Sequence, residues 1–135
     1  MEIKRIILEQ LVNEARIAQI AASISISMDV QSTGHSDVQR FRHKDSNTVI
    51  ITNSEIRGVV EKAKNDIAFH IVQGDISDDL DFVITDKESE KVITLAIIPK
   101  EVTPYHWRLI VRTVFSEKAK GEPFRVGRDQ LHIVV

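Results

Sequence analysis

Three polar side chains recur at helical spacing in the segment GHSDVQRFRHK, which begins at Gly34. His35, Gln39 and Arg42 are spaced by four and seven residues, so on an α-helix they project from one side. An imidazole titrates near neutral pH and can transfer a proton, whereas a guanidinium can hold two oxygens of a phosphate. The pair suits cleavage of RNA by attack of its 2′-hydroxyl group. The alternative is a solvated helix face whose charges keep the protein in solution.

A second basic group falls in the segment YHWRLIVRTVF, which begins at Tyr105. Successive side chains of a strand point to opposite faces, so His106, Arg108 and Arg112 are predicted to share one face. Trp107 and Thr113 are then expected on the other face. The basic row suits phosphate binding, and an aromatic ring nearby suits stacking on a base. An amphipathic strand with its polar side in water explains the same pattern.

The apolar pattern predicts the elements that position these residues. Apolar residues three and four apart predict a helix from Glu2 to about Ala22, and alternation from Ser23 to Val30 predicts a short strand or an extended crossing segment. Turn residues precede a second predicted helix, about Ser36 to Lys44. The capping-box sequence TNSE from Thr52 predicts a third helix to about Asn65. Runs of β-branched and aromatic residues predict strands at Ile67–Gln73, Leu80–Thr85, Val92–Ile98, Tyr105–Phe115, Phe124–Val126 and Leu131–Val135.

This order of elements predicts the fold class. Helices followed by consecutive strands indicate an α+β protein, with N-terminal helices packed on one face of a C-terminal antiparallel β-sheet. The 135 residues suit a single domain, 1–135, with a mainly helical part at 1–66 and a sheet part at 67–135. Pro99 and Pro104 are expected to bracket the connection between two strands, because proline cannot donate to a central ladder.

Composition narrows the function. The chain has 18 basic and 20 acidic residues, so it lacks a basic field that attracts any polyanion, although a local basic site remains open. It has no cysteine, and we find no signal-peptide or membrane-spanning pattern, so we expect a cytoplasmic protein with no membrane association. His43, His106 and His132 lack zinc-site spacing, and nucleotide-binding loops are missing. We therefore expect neither a metal nor another cofactor.

Five short segments follow one another in a recognisable order between Gly34 and the end of the sequence. They are His35 with Arg40 and Arg42, ITNSEIRGVVEKA from Ile51, DFVITD from Asp81, VRTVF from Val111, and the C-terminal stretch 124–135. Together they resemble the barnase/EndoU/colicin/RelE-like ribonuclease superfamily, in particular its small phage members similar to RegB. The resemblance covers the chain from Gly34 to its end. The superfamily usually has arginines four and eight residues after the histidine, where this chain has Gln39 and His43.

The resemblance implies a small metal-independent endoribonuclease, or a toxin-like protein that cleaves or binds RNA, located in the host cytoplasm if phage-encoded. It implies that His35 acts as acid and base, that Arg40 or Arg42 steadies the phosphate, and that Thr113 lines the site. RNA contacts are expected from Gln39, His43, His106, Arg108 and Arg112. The alternative hypothesis is a non-catalytic protein-binding or assembly module of the same fold, with a protein partner or a homo-oligomer, and the acidic net charge favours it.

Overall fold

A computed structural model describes residues 13–30 and 51–135. Residues 13–22 are helical and are called α1. The other elements, in chain order, are β1 Ser25–Val30, α2 Asn53–Gln73, β2 Phe82–Asp86, β3 Ile93–Thr103, β4 His106–Ser116, α3 Glu117–Lys120 and β5 His132–Val134. The predicted helix from Ser36 to Lys44 and the start of the first predicted helix lie outside the described residues.

Helix α2 begins at the predicted capping box. The Thr52 Oγ1 atom accepts the Glu55 N–H at 3.2 Å, and Glu55 Oε1 accepts the Thr52 N–H at 3.2 Å. These two bonds satisfy backbone donors that the first helical turn leaves open. At the other end Gly74 adopts a left-handed conformation with φ of 84°, and its N–H donates to the carbonyls of His70 and Ile71. Gly74 therefore ends the helix, as glycine commonly does.

The predicted strand Ile67–Gln73 is wrong, because these residues are the last turns of α2. Their β-branched and aromatic composition favours a strand locally. In the structure Ile67 continues the apolar stripe of Val60 and Ala63, at three- and four-residue spacing, and all three are buried. Burial of that stripe and the cap at Gly74 outweigh a strand preference that spans only about 1 kcal/mol per residue and itself depends on side-chain packing.

The five-stranded sheet has the order β1-β4-β3-β2-β5. The three central strands pair antiparallel, whereas β1 runs parallel to β4 and β5 runs parallel to β2. The α+β class with helices preceding the sheet is confirmed, but the sheet is mixed and not purely antiparallel. Short turns join the central strands and force them antiparallel, while the edge strands arrive through long connections that permit parallel pairing.

The connection from β4 to β5 includes the predicted strand Phe124–Val126, which is wrong because these residues have no strand structure. The prediction rested on three residues, a run too short to distinguish a strand from a packed loop. The ring of Phe124 instead meets the ring of Phe115 edge to face, with centroids 5.3 Å apart. The segment is therefore held to the sheet by side-chain packing.

The core lies between α2 and one face of the sheet, here called the helix face. Helix α2 contributes Ile56, Val59, Val60, Ala63, Ile67 and Ala68, which are all buried. The sheet contributes the buried side chains of Phe82, Ile84, Ile93, Leu95, Ile97, Trp107, Leu109, Val111, Val114 and Ile133. Each such large side chain contributes about 1.5–3 kcal/mol when fully removed from water. The opposite sheet face is called the distal face.

A β-bulge in β4 changes which side chains share a face. Ala96 pairs with Thr113, but the next residue, Ile97, pairs with Val111, so Arg112 is the extra residue of the bulge. Val111 and Val114 both belong to the core, which leaves Thr113 on the distal face. The prediction that Thr113 shares a face with Trp107 is therefore wrong, because simple alternation does not allow for an inserted residue.

Pro99 lies inside β3, where it pairs with Leu109, so the prediction that it bounds the strand is wrong. Its carbonyl accepts the Asp79 N–H at 2.9 Å. This bond shows that the carbonyl of Pro99 points away from β4. The N–H and C=O groups of one strand residue point in the same direction, so the nitrogen of Pro99 points away from β4 as well. Because β2 pairs with β3 only as far as Ile97, no ladder hydrogen bond is lost there. Pro104 does lie in the connection from β3 to β4.

In the described part of the chain, the helices are too short or too polar to cross a lipid bilayer.

Candidate functional site

Strand β4 carries the described members of the predicted site on its distal face. His106 and Arg108 alternate with Trp107 and Leu109, which face the core. Arg112, at the bulge, follows the core residue Val111 and therefore also lies on the distal face. Its guanidinium donates to Asp81, which directly precedes the core residue Phe82 of β2. Together with Thr113 they form a row that is called the basic row, namely His106, Arg108, Arg112 and Thr113. The remaining predicted residues, His35, Gln39, Arg40, Arg42 and His43, lie outside the described residues.

Each arginine of the basic row is paired with a carboxylate. The Nε atom of Arg108 lies 2.6 Å from Oδ2 of Asp29, and Nη1 of Arg112 donates to Oδ2 of Asp81 at 2.6 Å. The two arginine side chains remain 51% and 50% exposed. Half-exposed ion pairs of this kind are worth about 0–1 kcal/mol. A phosphate group can therefore compete with these carboxylates for the guanidinium groups.

His106 is tied to the edge strand of the sheet. Its Nε2 atom lies 3.2 Å from the hydroxyl of Ser27 on β1. Thr113, at the other end of the row, is only 8% exposed, so its hydroxyl is available to a ligand over a small area. The row is thus polar and about half exposed at Arg108 and Arg112, whereas Thr113 is almost fully buried.

The neighbouring surface is acidic. A depression of about 710 Å³ is lined by Asp75, Asp79, Asp81 and Asp129, with Arg128 as the one cation among its described lining residues. Asp79 forms an ion pair with Lys100 of β3. Because Asp81 also binds Arg112, the depression adjoins the basic row. This excess of carboxylates makes the local electrostatic potential more negative and disfavours the binding of a polyanion.

A second polar cluster was not predicted from the sequence. The Nε2 atom of His132 lies 2.7 Å from the Thr85 hydroxyl oxygen, which in turn lies 2.9 Å from the Thr94 hydroxyl oxygen. Although His132 is exposed as a residue, partial desolvation of its ring lowers its pKa below the ordinary value, and the charge of Lys87 acts in the same direction. The imidazole is therefore neutral at pH 7 and can accept a proton. The alternating pattern of residues 131–135 predicts that His132 projects from one face of a strand. No local feature of the sequence predicts that this strand pairs with β2 and brings His132 to Thr85.

The His132 cluster and the basic row both lie on the distal face, but no hydrogen bond or ion pair among the described residues joins them. Paired positions run across the sheet from His132 through Val83 and Ala96 to Thr113. Three steps between neighbouring strands separate His132 from Thr113 by about 14 Å. The structure therefore places the neutral imidazole and the basic row at opposite sides of the distal face.

His70 does not lie on a sheet face, as the predicted strand implied. It is in the last turn of α2, and its Nδ1 atom lies 2.8 Å from Oδ2 of Asp75 in the following loop. Within residues 13–30 and 51–135, no three His, Asp or Glu side chains are grouped so that they could hold a metal ion. The described polar residues can instead supply hydroxyls, guanidinium groups and imidazoles.

No family model matches this sequence, and neither a curated protein nor a solved structure matches the chain.

Proposed function

We propose that this protein is a small RNA-binding protein that cleaves RNA without a metal ion, a ribonuclease or a toxin-like relative of one. The observation that carries the proposal is the basic row, because one imidazole, two guanidinium groups and one hydroxyl follow one another along a single strand face. In this proposal His106, Arg108 and Arg112 bind the phosphates of a single strand. His35 transfers the protons of the cleavage step, and Arg40 or Arg42 steadies the phosphate.

The bulge supports this proposal. By inserting Arg112, it brings Thr113 to the same face as His106 and Arg108, where simple alternation would have separated them. The course of the chain also supports it. Val30, the last described residue before the segment that contains His35, pairs with Val111, which is next to Arg112. The chain therefore leaves β1 beside the basic row.

Cleavage is tested with a fluorescent mixed RNA pool in buffer containing EDTA. The wild-type chain should shorten the RNA, and His35→Ala should slow the reaction by about 10²–10⁴-fold, the usual contribution of acid–base catalysis. Intact RNA after prolonged incubation with the wild-type protein would exclude the nuclease activity. His106→Gln is the matched imidazole variant, and we expect it to weaken binding more than the rate of cleavage at saturating RNA.

Binding is tested by fluorescence anisotropy of a labelled RNA at several salt concentrations. Arg108→Gln and Arg112→Gln should each reduce the salt dependence of the binding constant, by about 0.7 in the slope of log K against log salt for one lost contact. Arg16→Gln is the control, because Arg16 is an exposed cation on α1 and does not belong to the basic row. Equal slopes for all three variants would show that the basic row does not contact RNA.

The second candidate is a non-catalytic protein-binding module, and the carboxylates around the basic row favour it. Both arginines already bind aspartates, and the adjoining depression carries four carboxylates. Such a surface matches a partner that has charges of both signs better than it matches a polyanion. Absence of salt-dependent RNA binding, together with capture of a specific protein that Arg112→Glu abolishes, would favour this candidate over the nuclease.

A further inference from the structure

Within the described part of the chain, strand β1 is a sheet edge that lacks the usual protection against pairing. Its six residues pair with β4 without a break in register, so the strand is regular. Edge strands are commonly protected by a bulge, a proline, a lysine or very short length. The sequence SISMDV from Ser25 has none of these and carries one charge, Asp29. By contrast, the other edge strand, β5, has only three residues.

The backbone groups of β1 have a defined direction. The Ser25 N–H donates to the Tyr105 carbonyl at 2.7 Å, so Ser25 and every second residue after it point their backbone groups toward β4. The N–H and C=O groups of Ile26 and Met28 consequently point away from the sheet. Among the described residues, β1 is hydrogen-bonded in the sheet only to β4. These outward groups can form a ladder with another strand.

We propose that a second copy of this chain pairs with β1, so that two β1 strands run antiparallel around a two-fold axis at Ser27. In this register Ile26 exchanges two hydrogen bonds with Met28 of the other copy, and Met28 does the same with Ile26, which gives four bonds. Ser27 of one copy then lies directly opposite Ser27 of the other copy, as a non-hydrogen-bonded pair. The two five-stranded sheets become one continuous sheet.

The side chains agree with this register. On the helix face, Ile26 of one copy meets Met28 of the other, so two half-buried apolar side chains become covered. On the distal face Asp29 meets Ser25, and the two Asp29 carboxylates stay about 13 Å apart, at four residues of strand rise. Pairing centred on Met28 would bring these carboxylates closer. The Ser27 register therefore keeps these like charges farther apart than the register centred on Met28 does.

Helix α2 adds charge complementarity beside the same edge. Arg57, Glu61 and Lys64 line a depression of about 240 Å³ together with Ile26 and Met28. The two-fold axis brings the rims of two such depressions toward each other, and the rims carry charges of both signs. Opposite charges on two copies can then pair. The proposal does not depend on RNA binding.

The contact is small, so the expected dimer is weak. We expect six-residue strands and their neighbours to bury less than the roughly 1,200 Å² of a standard interface, the range of weak and transient complexes, and we therefore expect a dissociation constant of about 1 μM or higher. Disulfide trapping detects such a dimer, and the chain has no native cysteine to interfere. Ser27→Cys should form a covalent dimer under mild oxidation, because Cβ atoms of directly opposed residues are about 4.5–5.5 Å apart.

Ser25→Cys is the matched control, since Ser25 is an exposed serine on the same face of the same strand. In the proposed register the two Ser25 residues are about 13 Å apart, too far for a disulfide. We expect Ser27→Cys to cross-link at least tenfold faster than Ser25→Cys. Equal rates, or faster cross-linking of Ser25→Cys, would overturn the register.

A charge-exchange experiment tests the dimer without a covalent bond. Ser27→Lys and Ser27→Glu should each be monomeric by light scattering, because like charges then lie directly opposite each other. An equal mixture of the two variants should restore the dimer. Ser77→Lys, on an exposed loop before β2, is the control and should dimerise like the wild type. A wild-type chain that remains monomeric up to about 1 mM would refute the proposal.

Discussion

The Nε2 atom of His132 lies 2.7 Å from the Oγ1 atom of Thr85, and this contact links the edge strand β5 to its neighbour β2. Thr85 is buried, and its hydroxyl also meets that of Thr94 on β3, at 2.9 Å. The three side chains thus connect three adjacent strands on the distal face. Because β5 pairs with β2 at only three positions, the hydrogen bond between His132 and Thr85 adds a side-chain link to a short ladder.

We predict that His132 makes the free energy of unfolding fall in mild acid. Partial desolvation and the charge of Lys87 lower the pKa of the folded imidazole below 6.5, so the unfolded chain binds the proton more readily. Stability is therefore unaffected above about pH 6.5 and decreases as the pH falls from there to the pKa of folded His132. His132→Gln, which keeps a polar group for Thr85, should lose less stability between about pH 7.5 and about pH 5.5 than the wild type.

Urea unfolding followed by fluorescence measures this difference, because Trp107 is the single tryptophan and is only 6% exposed. His106→Gln is the control, since it removes an imidazole from the same face but from the opposite side of the sheet. If His132→Gln and the wild type lose equal stability in acid, the pKa of His132 does not govern the pH dependence.

Alanine in place of Gly58, inside α2, and in place of Gly74, at its C-terminal cap, should change the free energy of unfolding in opposite directions. Gly58 lies inside the helix with open space where a methyl group would point, so Gly58→Ala should raise the free energy of unfolding by up to about 1 kcal/mol. Gly74 has φ of 84°, so Gly74→Ala should lower it by about 1–2 kcal/mol through backbone strain alone. Thermal and urea unfolding of the two variants would measure both. Effects of the same sign would contradict the assigned helix end.

The capping box of α2 should contribute measurably to stability. Thr52→Ala removes the hydroxyl that accepts the Glu55 N–H and should lower the free energy of unfolding by about 0.5–2 kcal/mol. Ser54→Ala, one position before Glu55 and on the exposed side of the first turn, should change it by less than about 0.5 kcal/mol. A similar loss in both variants would show that the hydroxyl of Thr52 does not cap the helix.

The ion pair between Glu55 and Lys91 should make the contribution of Glu55 to the free energy of unfolding depend on pH. Its hydrogen bond to Lys91, assisted by weaker contributions from Thr52, lowers the pKa of the carboxyl below 4.5, although burial acts in the opposite direction. A carboxyl with a lowered pKa stabilises the folded state above about pH 4.5 and loses that contribution as the pH falls further. Glu55→Gln should therefore be less stable than the wild type at neutral pH, and the difference should shrink in acid. A difference that is independent of pH would contradict this origin.

The local sequence determined the α+β class and the start of α2, because both follow from short-range patterns. Thr52 and Glu55 bond within one helical turn, and runs of β-branched and aromatic residues mark β2, β4 and the start of β3 within about two residues, whereas β3 continues past its predicted end at Ile98 to Thr103. Interactions of this range are encoded by neighbouring residues. They are therefore readable without knowledge of the rest of the chain.

Tertiary structure alone decided the end of α2, the parallel edges of the sheet and the faces of β4. Ile67 is helical because it packs on the core, and Thr113 reaches the distal face because of the bulge at Arg112. His132 meets Thr85 across 47 residues of chain. These outcomes depend on contacts between distant segments, and packing energies of several kcal/mol exceed local conformational preferences of about 1 kcal/mol. A one-residue change of register also moves every following side chain to the other face, and no local pattern records it.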